Sequence, residues 1–149
     1  MDLQVDDFII FDLDTTSSPP YSPTLVDPWD KDTIDNIFST KFKLPVHIPP
    51  FQRVLLSTRD EVEVLPKTVG LIQLRNTWAR LGLMSSPTYV DPGFKGTLTL
   101  SIFNASHNKI LLRPTDKIWS FLITPNTNIP LYKGRYQNQK GITLPKAFT

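Results

Sequence analysis

The chain has 149 residues, 40% hydrophobic and 20% charged, with a formal net charge of +2, which suits one folded domain over 1–149 with a real core. The charge excess is too small to argue for a nucleic-acid surface, no apolar run approaches the roughly 20 residues that span a bilayer, and the amino terminus lacks a signal-peptide layout. The expectation is a soluble, cytoplasmic protein with no nucleic-acid and no membrane partner; the absence of cysteine excludes disulfides, thiolate nucleophiles and zinc–thiolate sites.

Fourteen prolines and nine phenylalanines, with short apolar runs between turn signals, favour an all-β chain in which helix is scarce. Phe8 to Leu13 reads as a strand and Thr15 to Pro28 as a proline-rich loop. Asp32 to Phe38 suggests one or two helical turns capped by Asp32 or Thr33. Strands then follow over Val46 to Ile48, Gln52 to Thr58, Glu61 to Val64 and Val69 to Arg75. Asn76 to Leu83 is the convincing helix of the second half, capped by Asn76 and ended by Gly82. A strand running into such a helix would leave N–H groups free at Asn76, Thr77 and Trp78; with Arg75 they form either an anion site or a solvent-capped helix.

Thr88 to Asn104, TYVDPGFKGTLTLSIFN, organises the rest. A short β-prone approach, Thr88 to Val90, meets a turn-forming run, Asp91 to Gly96, and then a period-2 strand from Thr97. Leu98, Leu100 and Ile102 face one way; Thr97, Thr99, Ser101 and Phe103 face the other. Pro92 fixes its own φ, and Gly93 and Gly96 permit close backbone approach. The stretch reads as a hairpin displaying the Asp91 carboxylate, or as an ordinary Pro-Gly turn. Beyond it, 104–108 reads as a loop, Lys109 to Arg113 and Lys117 to Thr124 as strands, and His47 and His107 are too isolated to suggest a metal cage. The closing segment, Lys133 to Phe148, is basic and weakly periodic, which fits a frayed tail or a flap that orders on a polyphosphate.

Three segments in this order, RNTWARLGL (75–83), VDPGFKG (90–96) and RYQNQKG (135–141), resemble the dCTP deaminase and dUTPase family, where they run roughly RSSLARLGL, VDPGFxG and KYQxQxG. The resemblance covers nearly the whole chain. Met1 to Phe8 resembles the family's VDLRLGDEF segment, so relatives are expected to carry some tens of residues ahead of it. The resemblance implies a distorted antiparallel β-barrel of jelly-roll type with one or two short helices, a homotrimer with active sites where subunits meet, and residues 133–149 as a nucleotide-covering tail. It further implies dUTP or dCTP as substrate, with Mg²⁺ held through the nucleotide phosphates and not by protein ligands. Backbone around Tyr89, Val90 and Gly96 would read the pyrimidine, and Phe94 would lie under the deoxyribose. Arg75, Asn76 and Thr77 would hold phosphates, and Arg135, Tyr136, Gln139 and Lys140 would close over the nucleotide.

Two acidic positions decide the reaction. Asp91 matches the carboxylate that orients water in dUTP cleavage, for in-line attack on the α-phosphorus. Deaminating relatives also carry a glutamate in a TLxLE strand, where this chain has Ser101, whose hydroxyl has no accessible pKa near neutrality. Arg80 matches an arginine of the deaminating machinery; Asn76, Thr115 and Ser120 depart from the family pattern. Magnesium-dependent cleavage of dUTP to dUMP and pyrophosphate, with Asp91 orienting water, is therefore the leading expectation. dCTP deamination, alone or in a bifunctional enzyme, and a catalytically idle nucleotide- or protein-binding relative are the alternatives.

Overall fold

A computed structural model describes residues 1–13 and 24–149, so the expected loop over 15–28 lies mostly outside the described residues. In chain order the elements are β1 (Asp2–Phe11), α1 (Lys31–Asp35), β2 (Phe42–Lys43), β3 (Val46–Ile48), β4 (Arg53–Thr58), β5 (Val62–Glu63), β6 (Thr68–Leu74), α2 (Asn76–Arg80), β7 (Leu83–Met84), β8 (Thr88–Val90), β9 (Lys95–Gly96), β10 (Thr99–Asn104), β11 (Ile110–Leu112) and β12 (Lys117–Pro125). As expected, the architecture is mostly β with two short helices. The main sheet runs β7-β10-β4-β1-β12-β6-β8, with β2 added to β1, and curls into a half-barrel; β11-β3 and β5-β9 form two small ladders.

Period-2 patterning explains the core. Ile9, Leu56 and Leu100 lie side by side across β1, β4 and β10, and Leu98, Leu100 and Ile102 are all buried, as their alternation predicts. Trp119 is fully buried in the same cluster. On the opposite face of β1 and β4, Ile10 and Leu55 pack with Ile34, Phe38 and Ile142. Both faces of these central strands are therefore covered, which is why β4 reads as a continuous apolar run.

Four local expectations need correction. Thr88–Val90 and the strand after Gly96 do not form a hairpin with each other. β8 instead pairs with β6, with Val90 opposite Gly70, β9 pairs with β5, and β10 pairs with β4 and β7. The segment 91–98 keeps a turn between Asp91 and Phe94 but leads from β8 through β9 towards β10, with Val90, Phe94 and Leu98 buried together in the core. Asp30, not Asp32 or Thr33, caps α1 through the Asp32 N–H at 2.9 Å. Asn76 is the first residue of α2; Arg75 takes the cap position without a side-chain cap bond. Asn104, placed in a loop from sequence, ends β10 fully buried, and its side chain bonds the carbonyls of Ile48, Pro49 and Asn108.

Candidate active site

The sequence-predicted residues fall into three groups. The first is the loop after β8. Asp91 is half-buried, and among the described residues its carboxylate makes no side-chain hydrogen bond or ion pair; its carbonyl accepts the Phe94 N–H at 3.1 Å and closes the turn. Val90 is buried, whereas Tyr89 is 72% exposed on the outer sheet face. Phe94, expected to support a sugar, is only 5% exposed and meets the Tyr132 ring edge-to-face at 5.5 Å.

The second group sits at the far end of β6. Arg75 Nε lies 3.5 Å from Asp2 Oδ1, and its guanidinium also reaches the Lys117 carbonyl at 3.3 Å. Asn76 and Thr77 are exposed, and with Gln73, Arg75 and Ser120 they line a polar groove of about 500 Å³. The Trp78 N–H, expected to be free, is bonded to the Arg75 carbonyl at 3.0 Å. Arg80 is exposed in the last turn of α2, and Gly82 follows at φ +103, as its helix-ending role requires.

The third group is the tail, which neither frays nor stands open in this structure. It runs alongside 93–99 on the same chain. The Asn138 N–H donates to the Lys95 carbonyl at 2.7 Å, and the Thr97 N–H donates to the Gln139 carbonyl at 3.0 Å. Gln139 Nε2 returns a bond to the Thr97 carbonyl at 2.7 Å, and the Thr143 N–H reaches Thr99 Oγ1 at 2.9 Å. Gly96 makes this approach possible: at φ +147, a Cβ there would lie 3.0 Å from both the N and O of Gln139. Lys140 pairs with Glu61. Arg135 and Tyr136 turn the other way: the guanidinium bonds the Ala147 carbonyl, and the Tyr136 hydroxyl accepts the Lys146 N–H at 3.0 Å.

Gln137 was not singled out from sequence, yet its carboxamide binds the loop at two points. Oε1 accepts the Lys95 N–H at 3.0 Å, and Nε2 donates to the Gly93 carbonyl at 2.8 Å. Only its place between Tyr136 and Asn138 in the RYQNQKG motif could have drawn attention to it. Ser101, opposite Leu55 on β10, is exposed. With Met84, Thr88, Thr99 and Phe103 it lines a groove of about 540 Å³.

The first two groups are not brought together on one chain. Asp91 follows Val90, which lies opposite Gly70, so it sits near the level of Val69. Arg75 is six residues further along, roughly 20 Å at the strand rise of 3.3 Å per residue. Among the described residues no group of three or more His, Cys, Asp or Glu side chains could hold a metal ion, and no helix is long and apolar enough to cross a membrane.

Comparison with known proteins places these features. A family model described as dCTP deaminase-like matches residues 2–125. The curated dCTP deaminase of Pyrobaculum neutrophilum is 38% identical over 126 residues, spanning 85% of this chain and 72% of the relative. That of Saccharolobus solfataricus is 40% identical over 122 residues, or 79% and 65%. Among solved structures, the Agrobacterium tumefaciens 2'-deoxycytidine 5'-triphosphate deaminase superposes with a TM-score of 0.61 at 12% identity, over 83% of this chain and 38% of that one. A Staphylococcus bacteriophage 80alpha dUTPase with dUpNHpp gives 0.50 at 15% identity, over 86% and 88%; at such identities these two likenesses speak for the fold. The half-barrel and the extent of the sequence match lead to one assignment: the chain belongs to the dCTP deaminase-like family.

Proposed function

We propose that the chain is an enzyme acting on a deoxypyrimidine nucleoside triphosphate, with dCTP as substrate and hydrolytic deamination as the reaction. The observation that carries this reading is the run of curated relatives named dCTP deaminase, at 32–42% identity. They favour the deaminase alternative over the dUTP cleavage that residue chemistry put first. In the reaction, water adds at C4 of the cytosine, the C4–N bond breaks, and dUTP and ammonia leave.

The separation of Asp91 from Arg75, roughly 20 Å along the backbone, is a long span for one nucleotide and favours a site completed between copies of the chain. A homotrimer with shared sites would fit that arrangement. Asp91 would polarise water, and Arg75, Asn76 and Thr77 of a neighbouring copy would hold phosphates. Mg²⁺ bound to the phosphates would offset their charge; among the described residues the chain offers an unpaired carboxylate at Asp91 and no cage of three or more His, Cys, Asp or Glu side chains. Deamination also requires a proton shuttle that Ser101 cannot provide, so another carboxylate, of this chain or of a neighbouring copy, would have to serve.

Ser101 favours a second reading, cleavage of dUTP to dUMP and pyrophosphate. That reaction needs the Asp91 carboxylate and a metal-bound triphosphate but no group at position 101. A paired assay decides: with Mg²⁺, ammonia from dCTP supports the first reading. Pyrophosphate from dUTP without ammonia from dCTP replaces it with the second, and silence in both channels removes both.

A further inference from the structure

The end of the tail docks on the segment that leads into α1. Buried Ile142, with Leu144 and Ala147 beside it, packs against Ile34 and Phe38, and the Phe148 N–H donates to the Pro28 carbonyl at 2.8 Å. The Phe148 ring meets the Trp29 ring edge-to-face at 5.5 Å. On its other side the Arg135 guanidinium lies 5.8 Å from the centre of the Phe148 ring. Two bonds close 135–136 onto 146–147: Arg135 Nη1 donates to the Ala147 carbonyl, and the Tyr136 hydroxyl accepts the Lys146 N–H at 3.0 Å. Trp29 and Phe148 stay 65% and 53% exposed, so core packing accounts for little of what this pair contributes.

We propose that Phe148 and Trp29 are positioning residues for Arg135: by clasping the end of the tail to the approach to α1, they fix the plane in which the guanidinium meets a triphosphate. The inference rests on the nucleotide reading above, with Arg135 among the residues that close over the nucleotide. A guanidinium carries five N–H donors in one plane. A ring beside it restrains that plane and leaves the donor edge open. Among the described residues the side chain bonds only the Ala147 carbonyl, so its other donors are available to phosphate oxygens. Without the clasp, this exposed arginine on a loose chain end would have to be ordered at the moment of binding, which weakens affinity. Trp29 and Phe148 act through Arg135 and need not touch the nucleotide.

The test uses the full chain with Phe148→Ala, Phe148→Tyr, Trp29→Ala and Arg135→Ala, and with Phe148→Ala combined with Arg135→Ala. Binding of dCTP and dUTP is measured by calorimetry, and exchange of the Lys146 amide hydrogen reports whether 146 stays bonded to Tyr136. Phe148→Ala and Trp29→Ala each lower triphosphate affinity about fivefold, the scale of an exposed ring contact, and speed Lys146 exchange. Phe148→Tyr, which keeps the ring, retains the parent affinity. On the Arg135→Ala background, Phe148→Ala costs no further affinity, as expected of residues acting as one unit; a ring with a merely structural role would lower affinity there by the same factor. Unchanged affinity in Phe148→Ala or Trp29→Ala, an unchanged Lys146 exchange rate in either, weakened binding by Phe148→Tyr, or a full further loss in the double variant overturns the inference alone. Failure of the parent chain to bind either nucleotide overturns the nucleotide reading and this inference with it.

Discussion

The two ends of the candidate site differ in how the chain treats its own polar groups. Along 93–99, the tail occupies nearly every outward backbone donor and acceptor, and Gly96 is shaped to receive it. At the end of β6, Asn76 and Thr77 stand exposed around an open groove, and Arg75 is held by partly exposed contacts with Asp2 and the Lys117 carbonyl. One end is finished within the chain and the other is left for something to fill. That contrast separates a loop and tail closed on each other from a cationic end left open, and on the proposed function it is the open end that a ligand or another copy would complete. Asp91 keeps an unpaired carboxylate beside this saturated loop, which on the proposed function would leave it available to a water.

The sharpest way to break this comparison is Asp91→Asn. Turnover of whichever nucleotide the paired assay identifies should fall by about 10² to 10⁴, the usual weight of a positioned acid–base group. Binding, measured by calorimetry, should stay within a few-fold; a variant that keeps its rate would show the unpaired carboxylate to be idle. Arg75→Ala should come next, weakening triphosphate binding by about 10- to 100-fold, the range of a lost charge-assisted hydrogen bond. The corresponding nucleoside should be unaffected. Equal losses for nucleoside and triphosphate would mean that Arg75 acts only through Asp2.

Gly96→Ala tests the closed loop and tail. A Cβ 3.0 Å from Gln139 N and O, at φ +147, should cost about 1–3 kcal/mol. Thermal unfolding and faster exchange of the Thr97 amide would both report it, and an unperturbed Thr97 amide would mean that tail and loop give way more easily than the structure suggests. The smallest effect is expected at Thr115, away from both ends. This β-branched residue sits at φ +66, where glycine, the residue of the family pattern at this turn, is unstrained. Thr115→Gly should stabilise by about 1 kcal/mol, raising Tm by about 3 °C.

Much of the architecture was legible because its signals are local. Strands β3, β4, β6, β11 and β12 lie within a residue or two of the alternating runs that marked them, and Leu98, Leu100 and Ile102 face the core as period 2 requires. The motif segments 75–83, 90–96 and 135–141 identified the family, since residue type and order carry that information directly. The larger misreadings have a tertiary cause. Asp91 to Gly96 looks like a hairpin because turn chemistry is read from neighbours, but β8 and β9 chose partners in β6 and β5. The position of the tail is likewise a matter of contacts about 40 residues apart along the chain, and these depend on shape at Gly96 and burial of Ile142. Sequence alone determined which residues favour strands and which motif segments mark the family. Only the tertiary structure decided that the tail fills the loop's backbone edge and that Arg75 lies far from Asp91, because strand partners and distances are set by the burial of side chains remote in sequence.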